Sequence, residues 1–252
     1  MILEQLISNK KINRKSLAVL IDPDKVDNVD ALIGLVRLCV ENYVDYLLVG
    51  GSLMANDNFS KVINILKSNC NIPVIIFPGN HIQIDSNADG ILLLSLISGR
   101  NPEFLIGQHV HAAPILKKSK IEIVSVGYML VNSGASTSAS YMSNTIPIPS
   151  DKPTIAACTA MAGEMLGLNS IYLDAGSGAN SPVPQKIISR VSRSIDVPLI
   201  VGGGLNSTSR INLALEAGAD MIVLGNGVEK EESLLVKASE RILSANQALN
   251  IN

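Results

Sequence analysis

The sequence predicts one α/β domain over residues 1–252, a parallel (β/α)8 barrel of the TIM type. Three observations carry this expectation. Eight short runs are nearly continuous in Leu, Ile and Val; helix-length amphipathic segments lie between most of them; and glycine-rich turns close the last strands. Strands covered on both faces lose the apolar–polar alternation of half-exposed ones, and strand alternating with helix favours a wound α/β fold. An open doubly wound sheet shares the pattern, but the chain's 252 residues suit a single closed barrel.

The expected strands, in order, are Ser16–Ile21, Tyr46–Val49, Val74–Phe77, Ile91–Leu94, Ile121–Tyr128, Ile171–Leu173, Leu199–Val201 and Met221–Leu224. Apolar residues three and four apart predict helices over Val29–Glu41, Ser60–Asn69, Asp151–Leu166, Pro184–Ser194, Ser207–Ala217 and Glu231–Ala248. Ser207 is a candidate helix cap, and Pro184 suits a first turn. Ala88-Asp89-Gly90 and Ala217-Gly218-Ala219-Asp220 stand just before the fourth and eighth strands and read as helix stops feeding buried strands. Two places break the rhythm. Pro78–Asn87 is too short for a crossover helix, so the helix between strands three and four is expected to be missing or replaced by an extended segment. Asn132–Ser150, rich in small and polar residues, reads as a lid over the face where strand five ends.

Composition excludes several classes. The net charge of −2, from 20 basic and 22 acidic residues, supplies no field for nucleic acid or an anionic membrane. Cys39, Cys70 and Cys158 are few, odd in number and far apart, which fits a reducing compartment rather than a disulfide framework. The first residues lack a signal-peptide pattern, and no apolar run approaches ~18 residues, the length that spans a bilayer. A cytoplasmic protein without an integral membrane segment is expected. Mean hydropathy is high, at +0.31, and suggests apolar surface buried between subunits of a homo-oligomer, dimer or hexamer.

Chemistry gathers at the strand ends. Val201-Gly202-Gly203-Gly204-Leu205-Asn206-Ser207 precedes a helix, and Leu224-Gly225-Asn226-Gly227 follows the eighth strand. Glycines let backbone N–H groups approach an anion, and barrel phosphate sites commonly form from the turns after strands seven and eight. Either turn alone is an ordinary tight connection; the pair at adjacent strands favours a phosphate. Tyr172-Leu173-Asp174-Ala175-Gly176-Ser177-Gly178-Ala179 ends the sixth strand and brings a carboxylate, able to take a hydroxyl proton, beside both turns. Ile21-Asp22-Pro23-Asp24-Lys25 ends the first strand and Gly50-Gly51-Ser52 the second. Asp22 and Ser52 offer the hard oxygens that Mg²⁺ takes alongside substrate phosphates, whereas Asp24 suits a helix cap. His81, His109 and His111 show no metal-ligand spacing and read as surface or capping residues; Arg100 suits either a diphosphate or a solvent-facing helix start. Glu164 shows no evident partner in the sequence.

Taken together these motifs resemble the geranylgeranylglyceryl phosphate synthase family, along nearly the whole chain and at the corresponding strand ends. The most specific element is Tyr172–Ala179, similar to the family's Y-L-E-A-G-S-G-A phrase with Asp174 in place of Glu. Phe77-Pro78-Gly79 and Asn101-Pro102 also resemble family motifs, and the segment around Asn132–Ser150 is similar to the longer of its two groups. The resemblance implies Mg²⁺-dependent transfer of a long prenyl group from its diphosphate to the sn-3 hydroxyl of sn-glycerol 1-phosphate. It implies that Tyr172, Leu173, Asp174, Ala175, Gly176, Ser177, Gly178, Gly203, Gly204, Gly225 and Asn226 hold the glycerol phosphate. It implies further that Asp22 and Ser52 carry the metal, and that Asp174 orients or deprotonates the hydroxyl. A lysine of the shorter group falls on Leu20. Another phosphate-binding barrel enzyme acting on a phosphosugar shares the glycine turns, and so does a barrel that only binds a phosphorylated metabolite; neither needs a long apolar groove.

Overall fold

A computed structural model describes residues 1–225, 227–228 and 231–249. Eight parallel strands close into a barrel in sequence order, the first pairing with both the second and the eighth. They are β1 (Ser16–Ile21), β2 (Tyr46–Val49), β3 (Val74–Ile76), β4 (Gly90–Leu96), β5 (Glu122–Leu130), β6 (Ser170–Asp174), β7 (Leu199–Gly202) and β8 (Met221–Leu224). The unbroken apolar runs have a simple cause. Alternate residues of each strand point into the barrel and out to the helices, and both sides are dry. Ala18, Leu48, Ile75, Leu92, Val126, Tyr172, Ile200 and Val223 fill the interior, while Leu17, Leu47, Leu173 and Ile222 belong to the larger layer beneath the helices.

The helices are α1 (Ile2–Lys11), α2 (Val29–Glu41), α3 (Phe59–Asn69), α4 (Gln108–Lys118), α5 (Ser138–Ser143), α6 (Pro153–Met165), α7 (Gln185–Ser192), α8 (Thr208–Glu216) and α9 (Ser233–Leu249). The side chain of Asn28 caps α2 by accepting from the N–H groups of Asp30 and Ala31, and Ser207 caps α8 through the Arg210 N–H. Pro184 stands immediately before α7 rather than in its first turn. Between β3 and β4 there is no helix: residues 77–89 run as turns and extended chain, as the short spacing predicts.

Three elements depart from expectation. The first helix, α1, lies against the amino-terminal end of the barrel, where Ile2 and Leu6 join the interior core and the Glu122 carboxylate accepts from the N–H groups of Ile2 and Leu3 at 2.6 and 2.9 Å. The connection from β4 enters α4 through a wide turn at Glu103–Gly107, and Pro114 sits inside the helix, so its amphipathic period is blurred. The lid contains a short helix, α5, closed by a reciprocal capping box of Thr137 and Ser140. Ile148 also forms a parallel bridge with Val131.

The repeated Asp before a strand is more than a helix stop. Asp45, Asp89 and Asp220 precede β2, β4 and β8, and each accepts from an N–H at the start of a neighbouring strand: Leu17 at 2.8 Å, Val74 at 2.8 Å and Leu199 at 2.9 Å. A basic side chain meets each carboxylate as well, Arg14, Lys67, and the pair Lys10 and Lys15. These clips fix the register of consecutive strands at the end of the barrel away from the site. Asp220 is buried, so Asp220→Ala leaves an unpaired N–H and two under-compensated ammonium groups. The expected loss is about 3 kcal/mol, or roughly 6–12 °C of melting temperature in a chain this size. Calorimetry checks it; an unchanged melting temperature refutes the clip.

Candidate active site

The carboxyl ends of the strands enclose a polar cavity of about 470 Å³, partly open to solvent. Asp22, Ser52, Tyr172, Asp174, Gly176, Ser177, Gly178, Gly203, Gly204 and Gly225 all line it. Leu173 and Ala175 do not. Strand alternation turns the Leu173 side chain outward, and the side chains of both residues pack in the layer beneath the helices, which leaves their backbone groups as what they offer a substrate. Asn226 lies outside the described residues.

Asp174 is the only carboxylate among the described residues buried in this wall, at 7% exposure. Its Oδ1 accepts from the Gly176 N–H at 2.7 Å and its Oδ2 from the Tyr128 hydroxyl at 2.5 Å. Burial pushes the carboxyl upward from the ordinary carboxylate range, and these two hydrogen bonds oppose the shift. Burial, reinforced by the neighbouring Asp174 charge, raises the Tyr128 and Tyr172 phenols, which keeps both protonated at neutral pH. Gly203 has φ +77°, and a Cβ built there would overlap Asp174 Oδ1 and lie 2.7 Å from the nitrogens of Ala175 and Gly176. The seventh-strand turn is thus packed directly against the carboxylate, which only a glycine allows.

Tyr128, absent from the sequence-derived set, projects from β5 into the barrel opposite Tyr172. The two rings and Phe77 form a cluster with centroids 5.3–5.9 Å apart. Gly202 makes room for Tyr172, because a Cβ there would overlap its hydroxyl. Arg210 is a second unanticipated residue. Its guanidinium donates to the carbonyls of Gly204 and Asn180 and to Asn206 Oδ1 at 2.9–3.2 Å, lacing the sixth- and seventh-strand turns together.

On the opposite wall, Asp22 rather than Asp24 caps the short turn Pro23–Lys25, accepting from the Asp24 N–H at 3.2 Å; Lys25 Nζ stands 3.7 Å from Asp22 Oδ2. Asp24 instead accepts from the N–H groups of Ala55 and Asn56. Buried Gln83 ties the extended β3–β4 segment to the second-strand turn, accepting from the Gly79 N–H at 2.9 Å and donating to the Gly51 carbonyl at 3.3 Å. No cluster of three His, Cys, Asp or Glu exists among the described residues. The donor set is therefore one partly exposed carboxylate and one hydroxyl on a shared wall, which fits a hard divalent cation completed by substrate oxygens.

An apolar cleft, about 100 Å³ in its enclosed part, runs beside the missing helix, walled by Ile84, Ile91, Leu94, Phe104 and Ala112. It shares Gly51, Ser52, Phe77, Tyr128 and Ala139 with the polar cavity, so the two spaces meet at those residues. His109 belongs to this wall: burial lowers its pKa and its Nδ1 is enclosed, which corrects its reading as a surface residue. His81 and His111 stack on each other at the cleft's edge, 5.1 Å between centroids. Arg100 folds back, its guanidinium donating to the Gly99 carbonyl at 2.8 Å, and lines neither space. Glu164, which showed no partner in the sequence, accepts from the N–H groups of Asp196 and Val197.

A closed parallel barrel with a buried carboxylate and glycine turns at its carboxyl mouth is the architecture of a barrel enzyme. The chain belongs to the PcrB family, whose sequence model matches residues 10–244. A geranylgeranylglyceryl phosphate synthase of Spirosoma linguale is 53% identical over 240 residues, covering 95% of this chain and 96% of that one. The enzyme of the same name from Chitinophaga pinensis is 49% identical over 244 residues, covering 97% and 96%. Among solved structures, (S)-3-O-geranylgeranylglyceryl phosphate synthase from Thermoplasma acidophilum, in complex with its substrate sn-glycerol-1-phosphate, superposes with a TM-score of 0.90. It is 30% identical, with 96% of this chain and 98% of that one covered.

Proposed function

We propose that this chain joins a geranylgeranyl or similar long prenyl group, delivered as the diphosphate, to the sn-3 hydroxyl of sn-glycerol 1-phosphate. The products are geranylgeranylglyceryl phosphate and diphosphate. The observation that carries the proposal is the meeting of the two spaces: a polar cavity with glycine turns opens onto an apolar cleft at Ser52, Phe77 and Tyr128. A phosphosugar enzyme needs the first space and has no use for the second. The names of the curated relatives and the substrate bound in the Thermoplasma acidophilum structure support the same reading.

In this mechanism the turns at Gly176–Gly178, Gly203–Gly204 and Gly225 hold the glycerol phosphate through backbone groups. The prenyl tail lies in the apolar cleft, which fixes the allylic carbon near Tyr128 and excludes water from it. Asp22 and Ser52 would hold Mg²⁺ against the diphosphate. Bound there, the ion supplies Lewis-acid neutralisation of the leaving group's charge. Asp174 receives the proton of the attacking hydroxyl. We place the protein in the cytoplasm, the reducing compartment that its free, scattered cysteines fit. We assign it a homo-oligomer, dimer or hexamer, because Ile82, Ile106, Val110 and Ile115 are large, apolar and exposed.

The test is product analysis by mass spectrometry, with sn-glycerol 1-phosphate, Mg²⁺ and prenyl diphosphates of several lengths. An ether product is expected; none with any donor overturns the proposal. Asp22→Asn is expected to lower Mg²⁺-dependent turnover about 10²-fold or more, while glycerol phosphate still binds in calorimetry. Unchanged turnover in that variant removes Asp22 from the metal's shell.

A further inference from the structure

We infer that the Tyr128 hydroxyl is the group that touches the attacking alcohol, and that it relays the alcohol's proton to Asp174. The inference rests on the prenyl-transfer reading and deepens it. The carboxylate is a short side chain, 93% enclosed and walled on both oxygens. Oδ1 accepts from the Gly176 N–H, and the Gly203 backbone is packed so closely against it that no Cβ fits between. Oδ2 is covered by the Tyr128 hydroxyl at 2.5 Å. Tyr128 lines both the polar cavity and the apolar cleft, whereas Asp174 lines the polar cavity alone. The alcohol must meet the allylic carbon where the two spaces join, and Tyr128 is the residue there that carries a proton-transferring group already bonded to the base.

The step balances without any further reactant. The alcohol oxygen uses a lone pair to form the new C–O bond to the allylic carbon, and the diphosphate departs with the electrons of the bond that breaks. The alcohol's proton moves to Tyr128 Oη as the phenol's own proton moves to Asp174 Oδ2. Tyr128 ends neutral and Asp174 protonated, and Asp174 returns its proton to water once the product has left. Cluster neighbours Phe77 and Tyr172 hold the Tyr128 ring at this junction through edge contacts at 5.9 and 5.5 Å. A phenol held in this way keeps its hydroxyl on Asp174 Oδ2, one link of a hydrogen-bonded chain.

The test compares Tyr128→Phe in two backgrounds, wild type and Asp174→Glu, using steady-state kinetics on the purified protein with Mg²⁺ and both substrates. In the wild-type background, kcat is expected to fall about 10²-fold, the scale of a lost proton-transfer group. KM for glycerol 1-phosphate should change less than about threefold, since the glycine turns supply that affinity. The longer carboxylate of Asp174→Glu reaches past the phenol, so adding Tyr128→Phe there is expected to cost less than about a tenth of the wild-type loss. Melting temperatures confirm that each variant is folded. Equal losses in both backgrounds, or a Tyr128→Phe protein within threefold of wild-type kcat, overturn the relay. A wild-type protein that forms no ether product overturns the prenyl-transfer reading, and the relay with it.

Discussion

Asp174→Asn is expected to slow ether formation severely and, at neutral pH, to make the protein melt at a higher temperature. The two effects have one cause. Burial raises the folded-state pKa of this carboxyl above its unfolded value, against the opposing hydrogen bonds from Tyr128 and Gly176. A raised acid pKa means that the folded protein holds the proton more tightly than the unfolded chain. The associated stability is full below the unfolded value and is lost as pH climbs through the folded one. Above the unfolded value the wild type therefore loses stability to this carboxyl, a loss that the neutral amide does not carry. Turnover should drop about 10²- to 10⁴-fold, the range for loss of a general base. The acid limb of kcat/KM should lie above ~3.9, the unperturbed aspartate value. Scanning calorimetry from acid to neutral pH gives the second readout: the melting advantage of Asp174→Asn should be smallest in acid and grow as pH rises. A variant that melts lower than wild type at neutral pH, or keeps its activity, removes Asp174 as the strained base.

What the sequence made legible was whatever leaves a one-dimensional trace. Strands β1, β2 and β8 fall where their apolar runs predict, because burial on both faces favours Leu, Ile and Val at nearly successive positions. The missing helix before β4 is legible as a spacing. Glycines 176, 203 and 204 announce themselves because positive φ excludes most other residues. Tyr128 left no such trace: it belongs to an ordinary strand, and its role exists only because barrel closure places it diagonally from Asp174 across β5 and β6. Arg210 was hidden similarly, as one more polar residue in the first turn of α8. Leu173 and Ala175 differ in the other direction. They belong to a recognisable phrase, but strand alternation sends their side chains outward, so the phrase carries packing as well as chemistry. In α4, Pro114 and the wide turn before it erased the period that makes a helix readable.

Gly203→Ala is expected to damage the site more than one methyl group suggests, and a second glycine shows how to separate its causes. Gly203 and Gly167 share a left-handed backbone, at φ +77° and +87°. An alanine at either position costs roughly 1–2 kcal/mol for that conformation alone. At Gly167, the turn after α6, the added methyl meets nothing within 4 Å, so Gly167→Ala should lower the melting temperature by a few degrees and leave kinetics unchanged. At Gly203 the methyl overlaps Asp174 Oδ1 and crowds the nitrogens of Ala175 and Gly176, two of which are backbone atoms that cannot rotate away. Relief requires the seventh-strand turn to move off the sixth, which separates the anion cradle from the carboxylate. KM for glycerol 1-phosphate should rise about 10-fold or more and kcat fall about 10²-fold, because small displacements of a positioned reactant are that costly. Steady-state kinetics on both variants decides the matter. If Gly203→Ala loses only what Gly167→Ala loses, the phosphate turn and the base are not mechanically joined, and the cavity does not work as one site.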